Sequence, residues 1–271
     1  MKVLFSVDIE GISGVVSVKH GAMDSKEYDD ARKRMTVEAN AAAVGAYDAG
    51  AEQVFVTDGH GKMRNIRIED MDERVELFYG RPKILSQMEG LDHGIDKVGY
   101  VGYHSSAHSF GTLAHTYSGM VVDKLMIGDR MVGEFAMNSF LAGEYDVPIF
   151  FISGDAEAVR EAKQLYSEIP HVVTKIPTGR YSARCRHPEM VKKEIRETVA
   201  NSLKNEGKVI KTDDIEFRMF FKDAGKLDNL ELLPEVERIG PKEFVIDTGD
   251  YEDNYKLFRA CTMLATVVSQ D

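Results

Sequence analysis

Six residues of two chemical kinds, Asp8, Glu10, His60, His104, His115 and Glu134, carry most of the chemistry that can be read from this 271-residue chain. Asp8 and Glu10 leave a short apolar segment two positions apart. In extended backbone, residues i and i+2 face the same side, so both carboxylates can reach one centre or two adjacent ones. Two converging carboxylates repel unless a proton or a cation lies between them. Gly11 and Gly14 follow and permit a tight turn with close backbone approach. His60 is framed by Gly59 and Gly61 directly after Asp58, a setting that favours an exposed imidazole or one packed on a ligand. His104 follows Gly102-Tyr103 and opens a loop that also contains His108 and His115. Free imidazole titrates near pH 6.5, which makes His108 and His115 candidates for acid–base work. Glu134 follows Gly133 at the start of a helical stretch, where the helix dipole also favours an acid.

Carboxylates and imidazoles without thiolates suit zinc, with manganese or cobalt as substitutes. Three carboxylates (Asp8, Glu10, Glu134) and two histidines (His60, His104) suffice for two ions if one acid bridges. Three negative ligands against two dications leave about +1, which a bound hydroxide would neutralise. Paired metals of this kind lower the pKa of a water and polarise a substrate carbonyl.

Such a set must be positioned by elements that bring it together, and the sequence names them. Residues 2–8 and 53–57 are short β-rich runs separated by a helix over 28–49, whose apolar and small residues (Ala31, Met35, Val37, Ala41, Val44, Ala46) recur at helical spacing. Gly50 stops that helix. A β-α-β unit with buried-looking strands argues for a parallel sheet. Further strands are expected at 75–79, 98–103, 120–127 and 148–152, with a hairpin turn at 128–130. A helix is expected over 133–145 and another from Asp155, as its N-cap, to about residue 168. In an open parallel sheet, functional groups gather outside the carboxyl ends of strands. Asp8-Ile9-Glu10, Asp58-Gly59-His60 and Tyr103-His104 each leave such an end. After residue 170 the texture changes. Residues 174–182 read as a linker carrying Pro177 and Gly179, followed by a helix at 188–205, strands at 215–221 and 242–246 around a short helix near 226–232, and a final amphipathic helix at 251–268. The expected fold is α/β: a three-layer, largely parallel-sheet catalytic domain over 1–170, and a smaller α+β domain over 171–271 that covers the site or mediates assembly. No internal repeat is seen.

Composition narrows the function classes. Apolar residues make up 43% and prolines number only 7, which excludes a disordered or collagenous chain. Acids outnumber bases 45 to 34, a net charge of −11, which argues against a phosphate-tracking nucleic-acid binder and against an anionic membrane surface. No apolar run approaches the roughly 18–20 residues of a membrane helix, and the apolar start is too short for a signal peptide. Cys185 and Cys261 lie far apart without metal-like spacing. A cytoplasmic setting is expected.

Taken together, these stretches resemble the zinc-dependent D-aminopeptidase family typified by the DppA proteins of dipeptide-transport operons. The resemblance rests on Ser6-Val7-Asp8-Ile9-Glu10-Gly11-Ile12-Ser13-Gly14, Asp58-Gly59-His60-Gly61-Lys62-Met63, Gly102-Tyr103-His104, Ala114-His115 and Val132-Gly133-Glu134. Ala142-Gly143-x-Tyr145-Asp146-Val147-Pro148 and Ser153-Gly154-Asp155 add to it. It is dense up to residue 155 and thin afterwards, and residues 105–113 depart from the family pattern, which bears on substrate preference. The resemblance implies that Asp8 bridges two zinc ions, that Glu10 and His104 complete one site, and that His60 and Glu134 complete the other. It places His115 at the position assigned as the nucleophile, although an imidazole there could equally shuttle a proton or hold an oxyanion. It further implies a cytoplasmic, ring-like homodecamer.

The resulting expectation is a two-zinc aminopeptidase that releases N-terminal, D-configured residues from short peptides. Two alternatives stand beside it. One is another metal-dependent hydrolase acting on a different amide or a phosphoester, although no arginine clamp lies near the motifs beyond Lys62 and Arg64. The other is a cytoplasmic peptide-binding protein without catalysis, which would have no need of clustered metal ligands.

Overall fold

The computed structural model describes residues 1–267. In chain order the elements are β1 (Lys2–Val7), α1 (Val18–Gly21), α2 (Tyr28–Asp48), β2 (Gln53–Asp58), β3 (Glu76–Phe78), β4 (Lys97–Tyr103), β5 (Val122–Ile127), β6 (Arg130–Val132), α3 (Glu134–Glu144), β7 (Ile149–Asp155), α4 (Ala156–Leu165), β8 (His171–Gly179), β9 (Ser182–Cys185), α5 (Pro188–Ser202), β10 (Phe217–Phe221), β11 (Val236–Gly240), β12 (Glu243–Ile246) and α6 (Tyr251–Val267). They build an α/β fold of two sheets. The first has seven strands in the order β3-β2-β1-β4-β7-β8-β9 and is parallel except for β9; the second has five antiparallel strands in the order β11-β12-β10-β5-β6.

Strand β1 shows why the sheet sits where it does. Val3, Phe5 and Val7 share a core with Ala31, Met35, Ala39 and Ala42 of α2 and with Val191, Ile195 and Val199 of α5. Leu4 faces the opposite core, with Tyr100, Tyr103, Phe135, Phe217 and Phe258. Both faces are covered, so the strand is a continuous apolar run rather than an alternating one. The small side chains of α2 allow close packing. At Gly45 a Cβ would lie 2.5 Å from the Arg196 carbonyl oxygen on α5.

The register aligns the strand ends that matter. Val7 pairs with Asp58 on one side and with Val101 on the other, so β1, β2 and β4 end side by side. Gly11 donates its N–H to the Gly102 carbonyl at 2.7 Å. A Cβ on Gly11 would collide with the Tyr103 carbonyl oxygen, and Gly102 itself has φ +70. Only glycine at both positions lets the two strand exits touch.

Several expectations need correction. The linker expected over 174–182 is β8 and its hairpin into β9, which extend the first sheet beyond β7. Lys175, within that stretch, is fully buried. Residue 170 lies between α4 and β8, where the chain re-enters the first sheet, and the second sheet takes strands from before and after it. Strand β11 and the short helix α1 have no counterpart in the sequence expectation. The final helix expected over 251–268 runs from Tyr251 to Val267, and residue 268 lies outside the described residues. Among the described residues no helix is long and apolar enough to cross a membrane.

Candidate metal centre

Three adjacent strand ends and two further segments converge on one cluster. Asp8 and Glu10 come from the exit of β1, His60 from that of β2 and His104 from that of β4. His115 comes from the loop after β4, and Glu134 is the first residue of α3. The contacts are short. His60 Nδ1 lies 3.3 Å from Asp8 Oδ1 and 3.0 Å from Glu10 Oε2. His104 Nε2 lies 3.3 Å from Asp8 Oδ2 and 3.2 Å from Glu134 Oε1. His115 Nε2 lies 3.8 Å from Glu134 Oε1. Asp8 therefore faces a different histidine with each of its oxygens.

The other nitrogen of each ring is engaged by a backbone carbonyl, which can only accept. His60 Nε2 donates to Gly21 at 3.0 Å, His104 Nδ1 to Ser105 at 2.9 Å and His115 Nδ1 to Leu113 at 2.9 Å. With the outer nitrogens protonated, the inner nitrogens of the neutral rings present lone pairs to one another and to three carboxylates. Lone pairs facing carboxylates repel unless something positive lies between them. Buried Glu10 Oε2 and His104 Nε2 have no hydrogen-bond partner. Outer N–H to carbonyl and inner nitrogen to the centre is the arrangement that metal-ligating histidines adopt. Ligand atoms of Asp8, Glu10 and His104, and those of His104, His115 and Glu134, lie within 4.8 Å of one another. The donor set therefore fits a metal of the zinc class.

The electrostatics show how strongly the cluster draws in a cation. Burial disfavours charge on the rings of His60 and His104, but the carboxylates of Glu10 and Asp8 around the first, and of Glu134 and Asp8 around the second, raise their proton affinity well above the ordinary imidazole range, so that a proton and a metal ion compete for each inner nitrogen. Burial pushes His115 the other way, below that range, aided by charge on His104.

The shortest carboxylate–imidazole contacts are Glu10 with His60 and Glu134 with His104, while ligand atoms of Asp8, Glu10 and His104, the trio that the family resemblance groups at one site, also converge within 4.8 Å of one another. The remaining candidates have other tasks. Asp58 accepts from the backbone N–H groups of Asn65 and Ile66 and shapes the turn that carries His60. His108 is largely exposed and pairs with Asp123 at 3.4 Å, away from the cluster. Asp155 caps α4, accepting from Ala158 N at 2.8 Å.

Supporting residues appear that spacing did not reveal. Glu134 accepts from the Tyr117 backbone N–H at 2.7 Å and from the Gln87 side chain. Gln87 in turn accepts from Asn138 at 2.7 Å, and Asn138 also donates to Tyr103 at 2.9 Å. Exposure is one-sided. The side chains of Glu10, His60 and His115 are 12%, 14% and 18% accessible, against 3% or less for Asp8, His104 and Glu134. Access is from the Glu10–His60–His115 side.

Comparison with known proteins gives the chain its family. The family model described as D-aminopeptidase (peptidase M55) matches residues 1–260. The D-aminopeptidase of Bacillus subtilis (strain 168) is 31% identical over 269 residues, covering 98% of each chain. The solved structure of the zinc-dependent D-aminopeptidase DppA from Bacillus subtilis, described as a self-compartmentalizing protease, superposes with a TM-score of 0.94 at 30% identity and covers 100% of both chains. A match along almost the whole length, with a fold this close, shows that the chain belongs to the D-aminopeptidase family.

Proposed function

We propose that this chain is a two-zinc aminopeptidase that releases N-terminal D-amino acids from short peptides. One observation carries the reading: three imidazoles fix their outer nitrogens on backbone carbonyls and turn their inner nitrogens toward three buried or half-buried carboxylates. Asp8 would serve both ions, with Glu10 and His104 completing one site and His60 and Glu134 the other, as the family resemblance implies; the convergence of Asp8, Glu10 and His104 supports the first of these. Manganese or cobalt could substitute. When bound, the zinc ions supply Lewis-acid polarisation of the scissile carbonyl and lower the pKa of a water.

The chain's own residues supply the rest. His115 keeps Nδ1–H on the Leu113 carbonyl, which leaves Nε2 free to hold a proton and pass it to the nitrogen of the departing amine. Gln87 and the Tyr117 N–H hold both oxygens of Glu134 in place, so its orientation is set before substrate arrives. Peptide enters on the side where Glu10, His60 and His115 reach solvent. The self-compartmentalizing assembly of the solved relative supports a homo-oligomer here, a decamer by family resemblance, whose enclosure would restrict access to short peptides. We place this assembly in the cytoplasm.

The test is metal content of the purified protein by mass spectrometry, together with cleavage of matched D- and L-dipeptides. Two zinc ions per chain with faster cleavage of D-Ala-D-Ala is the expected result. Two ions with cleavage of L-peptides alone would keep the chemistry and remove the stereochemical assignment. No bound metal, and no activity restored by added zinc, would overturn the reading.

A further inference from the structure

We infer that Lys175 is a positioning residue for the Glu10 arm of the proposed metal centre, an inference that rests on the two-zinc reading above. Glu10 sits on an irregular loop, residues 9–15, between β1 and α1. Such a loop has carbonyls that no ladder satisfies, and buried carbonyls need donors. Lys175, on β8, supplies them. Its Nζ donates to the carbonyls of Glu10, Ile12 at 3.0 Å and Val15 at 2.5 Å. An ammonium has three N–H donors, so all three are committed to this one loop.

The neighbouring residue works on the same segment. Thr174 Oγ1 lies 2.5 Å from the Gly11 carbonyl oxygen and 3.0 Å from that of Gly154, so its single O–H is directed chiefly at Gly11. Strand β8 thereby holds the carbonyls of residues 10, 11, 12 and 15, while the Ser13 N–H is taken by Glu38 at 2.9 Å. Lys175 is fully buried and, among the described residues, forms no ion pair with a carboxylate within 4.0 Å. A lysine recruited only for packing stability would need no such target. Here a full charge is placed against backbone dipoles that fix a ligand-bearing loop. The geometry couples a strand in the later part of the chain to the orientation of one carboxylate.

The experiment is zinc affinity by competition with a chromogenic chelator, on the full-length protein, for wild type, Lys175→Met, Glu10→Gln and the double variant. Lys97→Met is the control, because Lys97 is a second buried lysine bonded to backbone carbonyls, those of Leu203 and Asn205, remote from the centre. Lys175→Met should weaken one of the two zinc ions by about 10–100-fold, the usual effect of removing a residue that orients a ligand. The other ion should be held as in wild type, and Lys175→Met should add little in the Glu10→Gln background. If Lys175→Met does not fold, Thr174→Val decides, with a smaller loss at the same ion expected. Zinc affinity equal to wild type in the folded variant would overturn the inference. So would equal loss at both ions, or the same loss in Lys97→Met. A wild-type protein that binds no zinc would instead bring down the two-zinc reading itself and this inference with it.

Discussion

The ring of His115 lies face to face with that of His104, with centroids 4.1 Å apart and planes inclined by 10°. The two residues are eleven positions apart in sequence, and each ring is tethered by Nδ1 to a carbonyl, of Leu113 and of Ser105. Their Nε2 atoms point the same way and share Glu134 Oε1 as a neighbour, at 3.2 Å from His104 and 3.8 Å from His115. One imidazole is nearly enclosed, and the other reaches solvent at the mouth of the site. In the proposed reading the stack divides the work: the inner ring would ligate, and the outer one would meet substrate.

That division predicts the behaviour of His115→Ala. Zinc content should equal that of wild type, because the closer contacts of Glu134 are with His104. Turnover should fall by about 10²–10⁴, the range for loss of a general acid or base. Metal analysis and kcat on one dipeptide check both parts. Unchanged turnover would remove His115 from the chemistry.

Asp8→Asn tests the shared carboxylate. Asp8 contributes one oxygen to the His60 side and one to the His104 side. The substitution keeps volume but removes the charge that two cations would share, so both ions should be lost or much weakened. A variant that retains two zinc ions per chain contradicts the bridging role.

Gln87→Leu tests the support behind Glu134. The side chain of Gln87 donates to Glu134 and accepts from Asn138. Leucine removes both bonds at similar size and leaves Asn138 donating to Tyr103. Zinc affinity should drop by about 10–100-fold, with the far-ultraviolet spectrum unchanged. An affinity within twofold of wild type would show that the Tyr117 N–H holds Glu134 unaided.

The sequence made some of these groups legible and hid others for physical reasons. Asp8, His60 and His104 could be read because each directly follows a short apolar run, and parallel strands that end together deliver their next residues to one place. Glu134 and His115 could not be placed by that logic. One opens a helix and the other sits in a loop, so residue type marked them as candidates while their place beside the strand ends stayed hidden. Gln87 and Asn138 are residue types found anywhere, and what matters in them is burial. Lys175 misled outright. A charged residue near Pro177 and Gly179 reads as linker, because spacing cannot show that three carbonyls of a distant loop will surround its ammonium.

Glu38 gives the fold a pH dependence of known sign. It lies on α2, is 1% exposed, accepts from Ser13 N through one oxygen and has no partner for the other. Burial lifts its pKa from 4.5 to about 7, against the opposing pull of the Ser13 bond and the Lys175 charge. A carboxyl whose folded pKa exceeds its unfolded one favours the fold most below the unfolded value. Its contribution is therefore full below about pH 4.5, declines as pH rises toward about 7, and is constant beyond. The decline amounts to about 3 kcal/mol at 1.36 kcal/mol per unit. Glu38→Gln is neutral at every pH and keeps an acceptor for Ser13. Its stability relative to wild type should rise between pH 5 and 8 by about 2–3 kcal/mol. Urea unfolding midpoints across that range measure it, and the slope of the difference is the readout, since any packing cost of the amide is the same at each pH. A difference that stays flat from pH 5 to 8 would mean that Glu38 is already ionised in the folded protein at the lower end.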